Sequence, residues 1–275
     1  MFVEDKEAIA VPLITLLSDF GLKDQYVAEM KASISTICPQ ARIIDISHLI
    51  EKFNIRMGAF VLASATRHFP KGTIHIAVVD PGVGTKRRPL LVQTKHAFYI
   101  GPDNGLLMLA AQRDGIRRVH ALTNRKFMLP NVALTFHGRD LFAPAAAHLA
   151  NGTSIANFGP AICDYEVPKF ATPIYETDEV VGEVLHIDDF GNVITNIARE
   201  DLKKIEARPT VLISVKLKNE DWKVGFCTTY GEVSEKTALA LIGSHDFLEI
   251  AVNQGNASKK FKAKVGDTLA VSLQG

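Results

Sequence analysis

Cysteine is scarce in this chain. Its three cysteines, Cys38, Cys163 and Cys227, stand far apart and form no C-x-x-C pair. That argues against a disulfide scaffold or a thiolate metal cage and fits a reducing cytoplasm. An excess of either charge is missing as well: 31 Lys and Arg face 30 Asp and Glu, for a formal net charge of +1. Nucleic-acid binding wants a concentrated basic surface, so nucleic acid is not an expected partner. The one basic cluster on a loop, Lys86-Arg87-Arg88, is expected to face solvent, with Arg87 as the exception. No apolar run approaches the ~20 residues of a membrane-spanning helix. Glu4, Asp5, Lys6 and Glu7 stand where a signal peptide would carry a basic region leading into an apolar core. These absences predict a soluble, cytoplasmic protein with no membrane partner.

Several chemical signatures are absent too. Gly82-Val83-Gly84 lacks the third glycine of a dinucleotide fingerprint, Arg87 standing three residues beyond Gly84. There is no Walker A sequence, no G-x-S-x-G and no H-E-x-x-H. Two Asp-Phe-Gly triplets occur without the glycine-rich loop, lysine or H-R-D loop of a kinase. The nine histidines are scattered, and a lone histidine on an apolar strand, such as His75, reads as structural. Metal dependence is not expected.

What is present is a regular alternation. Leu13 to Leu17 is a short apolar run ending at Ser18-Asp19-Phe20-Gly21. Asp24 then reads as the N-cap of a helix with Tyr26, Val27, Met30 and Ile34 on one face. Ala41 to Ile46 reads as a strand, and Asn54 caps a helix through Ile55, Ala59, Leu62 and Ala63. Ile74 to Val79, Leu90 to Gln93 and Ala97 to Ile100 are strand-like, and Leu141 to Leu149 is an alanine-rich helix stopping at Asn151-Gly152. Alternation of this kind implies an α/β unit with a mainly parallel sheet covered on both faces. After about Pro173 the pattern changes to short strand-like runs: Val184 to Ile187, Thr210 to Val215, Ala238 to Ile242, Leu248 to Val252 and Thr268 to Leu273. Gly/Asn turns separate them, which predicts a small β-barrel or sandwich. The expected organisation is an α/β domain over residues 1–173, a linker over 174–180 and a β domain over 181–275.

The chemistry concentrates at two segments. In Val78-Val79-Asp80-Pro81-Gly82-Val83-Gly84 an apolar run delivers a carboxylate onto a Pro-Gly turn, and in Thr135-Phe136-His137-Gly138-Arg139-Asp140 a histidine precedes a glycine at an apparent strand end. Ligands of α/β folds bind outside the carboxyl ends of the strands. Asp-Pro-Gly is also good turn chemistry on its own. Asp19 equally suits a turn cap, Asp188 and Asn192 a hairpin, and Tyr230 a barrel core. Arg88 reads as a solvent-facing charge.

Taken in order, six segments resemble the S-adenosylmethionine (SAM) hydroxide adenosyltransferases, a family related to the SAM-dependent fluorinases and chlorinases. They are Leu17 to Gly21, Val79 to Gly84, Gly101-Pro102-Asp103-Asn104-Gly105, Thr135 to Asp140, Asp188-Asp189-Phe190-Gly191-Asn192 and Ile242-Gly243-Ser244. The resemblance spans nearly the whole chain. It implies an α/β N-terminal domain, a C-terminal β-barrel, and a homotrimer with SAM bound between subunits. It also implies that Asp80, Arg87 and His137 position and activate water. The halogenating relatives have a tyrosine in place of Asp80 and a Tyr-Ser pair in place of His137-Gly138, so the expected nucleophile is water rather than halide. By the same resemblance Asp19 holds the ribose diol, Phe53 lies against the sugar, Asp188 pairs with the methionine ammonium and Asn192 reads adenine. Tyr230 would stack on the substrate and Ser244 would contact its carboxylate, while His245 and Val252 stand where halogenases have arginines. The implied reaction is hydrolysis of SAM to adenosine and L-methionine, with SAM as substrate and no cofactor. Halide adenosyl transfer and a SAM- or adenosine-binding role with little turnover are the alternatives.

Overall fold

The first half of the chain builds one sheet from short apolar strands. A computed structural model describes residues 11–218 and 220–273. In chain order the first elements are β1 (Leu13–Ser18), α1 (Tyr26–Ile37), β2 (Arg42–Ser47), α2 (Ile55–Thr66), β3 (Ile74–Val78), β4 (Pro89–Thr94), β5 (Phe98–Pro102), α3 (Met108–Asp114), β6 (Ile116–Ala121) and α4 (Ala143–Ala150). The six strands lie in the order β2-β1-β3-β5-β4-β6. β1 runs parallel to β2 and β3, and β3 runs parallel to β5; only β4 runs antiparallel, to β5 and β6. The sheet is therefore mainly parallel, as the alternation predicts.

Side chains alternate across the sheet, so each strand feeds two cores. Ile14, Leu16, Ile74, Ile76 and Val78 share one face and pack with Met30 and Ile34 of α1 and with Ala143, Ala146 and Ala147 of α4. Each large aliphatic side chain buried here contributes ~1.5–3 kcal/mol. On the other face the Thr15 hydroxyl lies 2.8 Å from His75 Nδ1, and Tyr99 donates to Thr66 of α2 at 3.3 Å. His75 is wholly buried, and burial lowers its pKa to about 3, so it is a neutral core histidine.

Two helix starts differ in their outcome. Asn54 caps α2 as expected, its Oδ1 accepting the Met57 N–H at 2.9 Å. Asp24 does not cap α1: Gln25 occupies that position in a helical conformation with no side-chain cap. The buried stripe of α1 is Val27, Met30, Ser33 and Ile34, while Tyr26 is exposed. Its ring packs edge-on against Phe136, centroids 5.1 Å apart, so an aromatic contact replaces the core position expected of it.

The remaining strands close into a barrel. They are β7 (Ile174–Tyr175), β8 (Glu179–Ile187), β9 (Val193–Ala198), β10 (Leu212–Leu217), β11 (Glu220–Phe226), β12 (Ala238–Ile242), β13 (Phe247–Val252) and β14 (Thr268–Leu273), with short helices α5 (Arg199–Lys204) and α6 (Ala257–Phe261) between them. Their order is β14-β10-β11-β12-β13-β9-β8-β7, and the antiparallel pairing of β14 with β8 closes the ring while β7 extends it. Closure removes the unpaired edges that an open sheet would expose. Val180, Val184, Ile213, Val215, Ile250 and Val271 belong to its core. Three strands escape the sequence pattern: β7, which falls in the stretch read as a linker, β9 and β11. β9 carries Thr195 and Asn196, both buried, because the Thr195 hydroxyl donates to Leu248 O at 2.9 Å and Asn196 Oδ1 accepts the Glu183 N–H at 2.8 Å. β11 begins with the charged pair Glu220-Asp221, which masks its apolar Val224 and Phe226.

By contacts the chain forms two compact units. The first gathers the described residues up to Gly58 with Thr66–Leu107 and Arg113–Glu166; the second gathers Ala59–Ala65, Met108–Gln112 and the described residues from Val167 on. No helix among the described residues is long and apolar enough to cross a membrane.

Candidate active site

β3 is buried along its whole length, and the chain leaves it at Val79-Asp80-Pro81. The following loop is held by its own turn bonds: Val83 N–H donates to Asp80 O at 3.3 Å and the Thr85 hydroxyl to Gly82 O at 2.7 Å. Gly84 has φ +77°, and a Cβ there would sit 2.6 Å from Leu134 O. Only glycine lets this loop lie against the segment that carries His137.

Arg87 closes the loop onto Asp80. Its Nε lies 3.0 Å from both carboxylate oxygens, and its Nη2 donates to Oδ2. The same Nη2 donates to His137 Nδ1 at 2.8 Å. The two charged side chains are 9% and 4% exposed, so this is a buried, bidentate pair. The Arg87 guanidinium lies over the Phe142 ring at 5.4 Å, and its Nη1 is buried with no partner among the described residues. Because His137 Nδ1 accepts from Arg87, the neutral ring carries its proton on Nε2. Burial, and then the Arg87 charge, push the His137 pKa below its ordinary value, while Asp80 and Asp140 oppose the shift. His137 is therefore a neutral imidazole at neutral pH.

His137 does not stand at a strand end. It immediately precedes a π-helical turn, Gly138–Phe142, that runs directly into α4. A Cβ on Gly138 would meet Met30 Sδ at 3.1 Å and the Phe136 ring at 3.2 Å, so the turn packs tightly beside α1. Asp140, wholly buried, accepts from Arg139 Nε at 2.6 Å and from the Ala133 N–H at 2.8 Å, and Arg139 continues to Glu29 at 2.8 Å. This network pins the loop that delivers His137. Arg88 is not a free surface charge either: it binds Asp103 Oδ2 at 2.8 Å and Asp164 Oδ1 at 2.9 Å.

Across the cleft, Asp19 follows the end of β1 and is 6% exposed. Its Oδ2 accepts the Phe53 N–H at 2.9 Å, and Lys52 Nζ donates to its carbonyl. Phe53 is 68% exposed and has φ +65°, an unusual conformation for an aromatic residue, held here by that bond. Asp19, Phe20, Tyr26, Phe53, Asp80 and His137 line one cleft of about 570 Å³, which also takes in Asp24 and Lys52. That is the size of a small-molecule site. Lys52 carries no motif signal of its own and is revealed only by its bond to Asp19, while Asp140 closes the Thr135–Asp140 motif and gains its role from its bonds to the His137 loop.

The site residues expected on the barrel fall into two groups. Asp188 Oδ1 accepts the N–H groups of Phe190 at 3.0 Å and Asn192 at 2.8 Å, and its Oδ2 accepts Asn192 Nδ2 at 2.9 Å. Both side chains thus shape the β8–β9 turn. Within electrostatic reach of Asp188, Tyr230 donates to Glu249 Oε1 at 2.5 Å, and His245 Nε2 lies 3.3 Å from Glu249 Oε2. Burial and the neighbouring carboxylate raise the Tyr230 pKa well above the ordinary tyrosine value. His245 Nδ1 accepts the Phe247 N–H at 3.2 Å, which leaves Nε2–H to face the carboxylate. Ser244 is exposed in the turn between β12 and β13. Glu249, a lone carboxylate 3% exposed within an apolar strand, was signalled only by its place in that run.

An α/β unit with an acid, a guanidinium and an imidazole at one sheet end, joined to a closed barrel, defines a two-module class. Residues 14–159 match the SAM hydroxide adenosyltransferase N-terminal domain, and residues 182–270 match the SAM hydroxide adenosyltransferase C-terminal domain. The chain belongs to the SAM hydroxide adenosyltransferase family. An (R)-S-adenosyl-L-methionine hydrolase from Salinispora tropica is 36% identical over 270 residues, 95% of this chain and 98% of that protein. A fluorinase from Nocardia brasiliensis is more distant, 26% identical over 95% of this chain and 97% of its own. A crystal structure of an uncharacterized conserved protein from Thermotoga maritima superposes with a TM-score of 0.82 at 39% identity, covering 94% of this chain and 99% of that one.

Proposed function

We propose that this protein hydrolyses SAM to adenosine and L-methionine by attack of water on the ribose C5′. The observation that carries the reading is the contact of Arg87 with both Asp80 and His137 at the wall of a cleft whose other side holds Asp19 and Phe53. The leaving group is a neutral thioether, so departure needs no proton and no Lewis acid. The site has to align a water with the C5′–S bond and receive its proton. Alignment alone is worth up to ~7–11 kcal/mol. His137 donates from Nε2 to the water oxygen, and Asp80, which keeps lone pairs free after binding Arg87, accepts the proton. Arg87 holds both groups and offers charge to the developing hydroxide. Asp19 binds the ribose diol and Phe53 packs on the sugar.

In this reading Asp188, Asn192, Tyr230 and Ser244 come from the barrel of a neighbouring copy in a homotrimer, with Asp188 on the methionine ammonium and Asn192 on adenine. Leu22, Phe53 and Leu134, 68%, 68% and 71% exposed in or beside the loops that line the cleft, support a covering partner. Three free cysteines agree with a cytoplasmic location. SAM is the substrate and the reaction uses no cofactor.

The test is incubation of the purified protein with SAM, with and without chloride, and chromatography of the products. Adenosine and methionine in equal amounts, independent of chloride, are expected. A 5′-halogenated nucleoside would move the protein to halide transfer. Bound but intact SAM would leave only a binding role.

A further inference from the structure

The motif Gly101-Pro102-Asp103-Asn104-Gly105 has no part in the cleft lining, yet its two polar side chains reach the loop that carries Asp80 and Arg87. Asn104 Nδ2 donates to Val79 O at 2.9 Å, one residue before Asp80. Asp103 Oδ2 accepts from Arg88 Nε at 3.0 Å and Nη2 at 2.8 Å, one residue after Arg87. The contact is reciprocal, because Asp103 N–H donates to Arg88 O at 2.8 Å. Both side chains are themselves fixed: Asp103 Oδ1 accepts the Glu166 N–H at 2.8 Å, and Asn104 Oδ1 accepts the Leu106 N–H at 3.2 Å. The Asp103 side chain is 6% exposed.

We infer that Asp103 and Asn104 are positioning residues which clamp the two ends of the Asp80–Arg87 loop and so set Asp80 and Arg87 against His137. The inference rests on the hydrolase reading of that site. Adjacent residues at the end of β5 are suited to the task, since β5 lies beside both β3, which feeds Asp80, and β4, which leaves Arg88. The loop between the two clamped points is held mainly by its own turn bonds, so its ends decide where the guanidinium lies. A displacement near 1 Å at such a group costs on the order of 100-fold in rate.

Two conservative variants isolate the clamp. Asn104→Ser keeps a short side-chain acceptor for the Leu106 N–H and withdraws the amide donor from Val79 O without adding charge. Asp103→Asn keeps the acceptor for Glu166 and removes the charge facing Arg88. For each full-length variant, kcat and KM for SAM, thermal unfolding and the NMR titration of the His137 imidazole are compared with the unsubstituted protein. The groups facing that ring are Arg87, Asp80 and Asp140, and Arg87 is the one that depresses its pKa. Released from the clamp, Arg87 withdraws, so the His137 pKa rises, while kcat falls 10- to 100-fold and KM changes by less than about threefold. An unchanged His137 titration in both folded variants overturns the inference whatever the activity, and so does an unchanged kcat in an active enzyme. A shifted titration in a protein that does not cleave SAM at all would uphold the clamp and sink the hydrolase reading instead.

Discussion

The cleft of the first unit and the β8–β9 turn of the barrel use the same residue types in opposite ways. In the cleft the polar partners are distant in sequence: Asp80 meets Arg87 seven residues on, and Arg87 meets His137 fifty residues on. In the turn, Asp188 and Asn192 satisfy each other four residues apart. Local pairing shapes backbone, because Asp and Asn readily bond neighbouring N–H groups. Pairing between segments needs the fold to assemble it, and here it occurs where a ligand fits. Asp-Pro-Gly and Asp-Asp-Phe-Gly-Asn look equally like turns on paper, and only the reach of their side chains separates them.

The sharpest way to break this contrast is to remove Asp80. Asp80→Ala leaves Arg87 buried without its carboxylate, which should cost ~3–5 kcal/mol of stability. The proton acceptor goes with it, and adenosine formation should fall ~10²–10⁴-fold by chromatographic assay. Retained turnover would reduce the pair to structure.

Next in size is acid. His75 has a folded pKa of about 3 against 6.5 in the unfolded chain. The unfolded state therefore binds the extra proton between those values, so stability is intact above pH 6.5 and declines as pH falls toward 3. The slope from this group reaches ~1.4 kcal/mol per pH unit. Unfolding midpoints measured from pH 7 to 4 should drop, and less steeply in His75→Gln. His137, lowered in the same direction, adds to the decline, and kcat/KM should hold through neutral pH and fall only below the ordinary histidine range.

Asp188→Ala probes the other side of the comparison. Three hydrogen bonds within one turn are lost, worth about 1 kcal/mol each. Calorimetry should register that loss, and KM for SAM should rise while kcat at saturation changes less than tenfold. A fall in stability with no change in KM would leave Asp188 as a turn residue alone. The smallest effect belongs to chelation: dialysis against EDTA should leave adenosine formation unchanged, since a thioether leaves without a Lewis acid.

Much of this was legible before any coordinates. Apolar runs such as Ile74 to Val79 announce their strands because one chemical property, apolarity, dictates their burial. Asn54 is equally readable, since capping admits few residue types. β9 was hidden because Thr195 and Asn196 are buried by bonds to Leu248 and Glu183 on its two neighbouring strands, β13 and β8. Arg88 gains its partners for a related reason, since tertiary packing brings Asp103 and Asp164 to it.

The amino-acid order by itself determined the alternating α/β half, the strand-rich second half and the set of groups able to act on SAM. Hydrophobic period and turn chemistry are local properties, and motif identity travels with the residues. The tertiary structure alone decided that Arg87 serves Asp80 and His137 together, that His137 enters from a π-helical turn, and that Asp103 and Asn104 hold the loop from outside. Those facts depend on which atoms meet after segments 15 to 50 residues apart are packed, and sequence spacing carries no record of such distances.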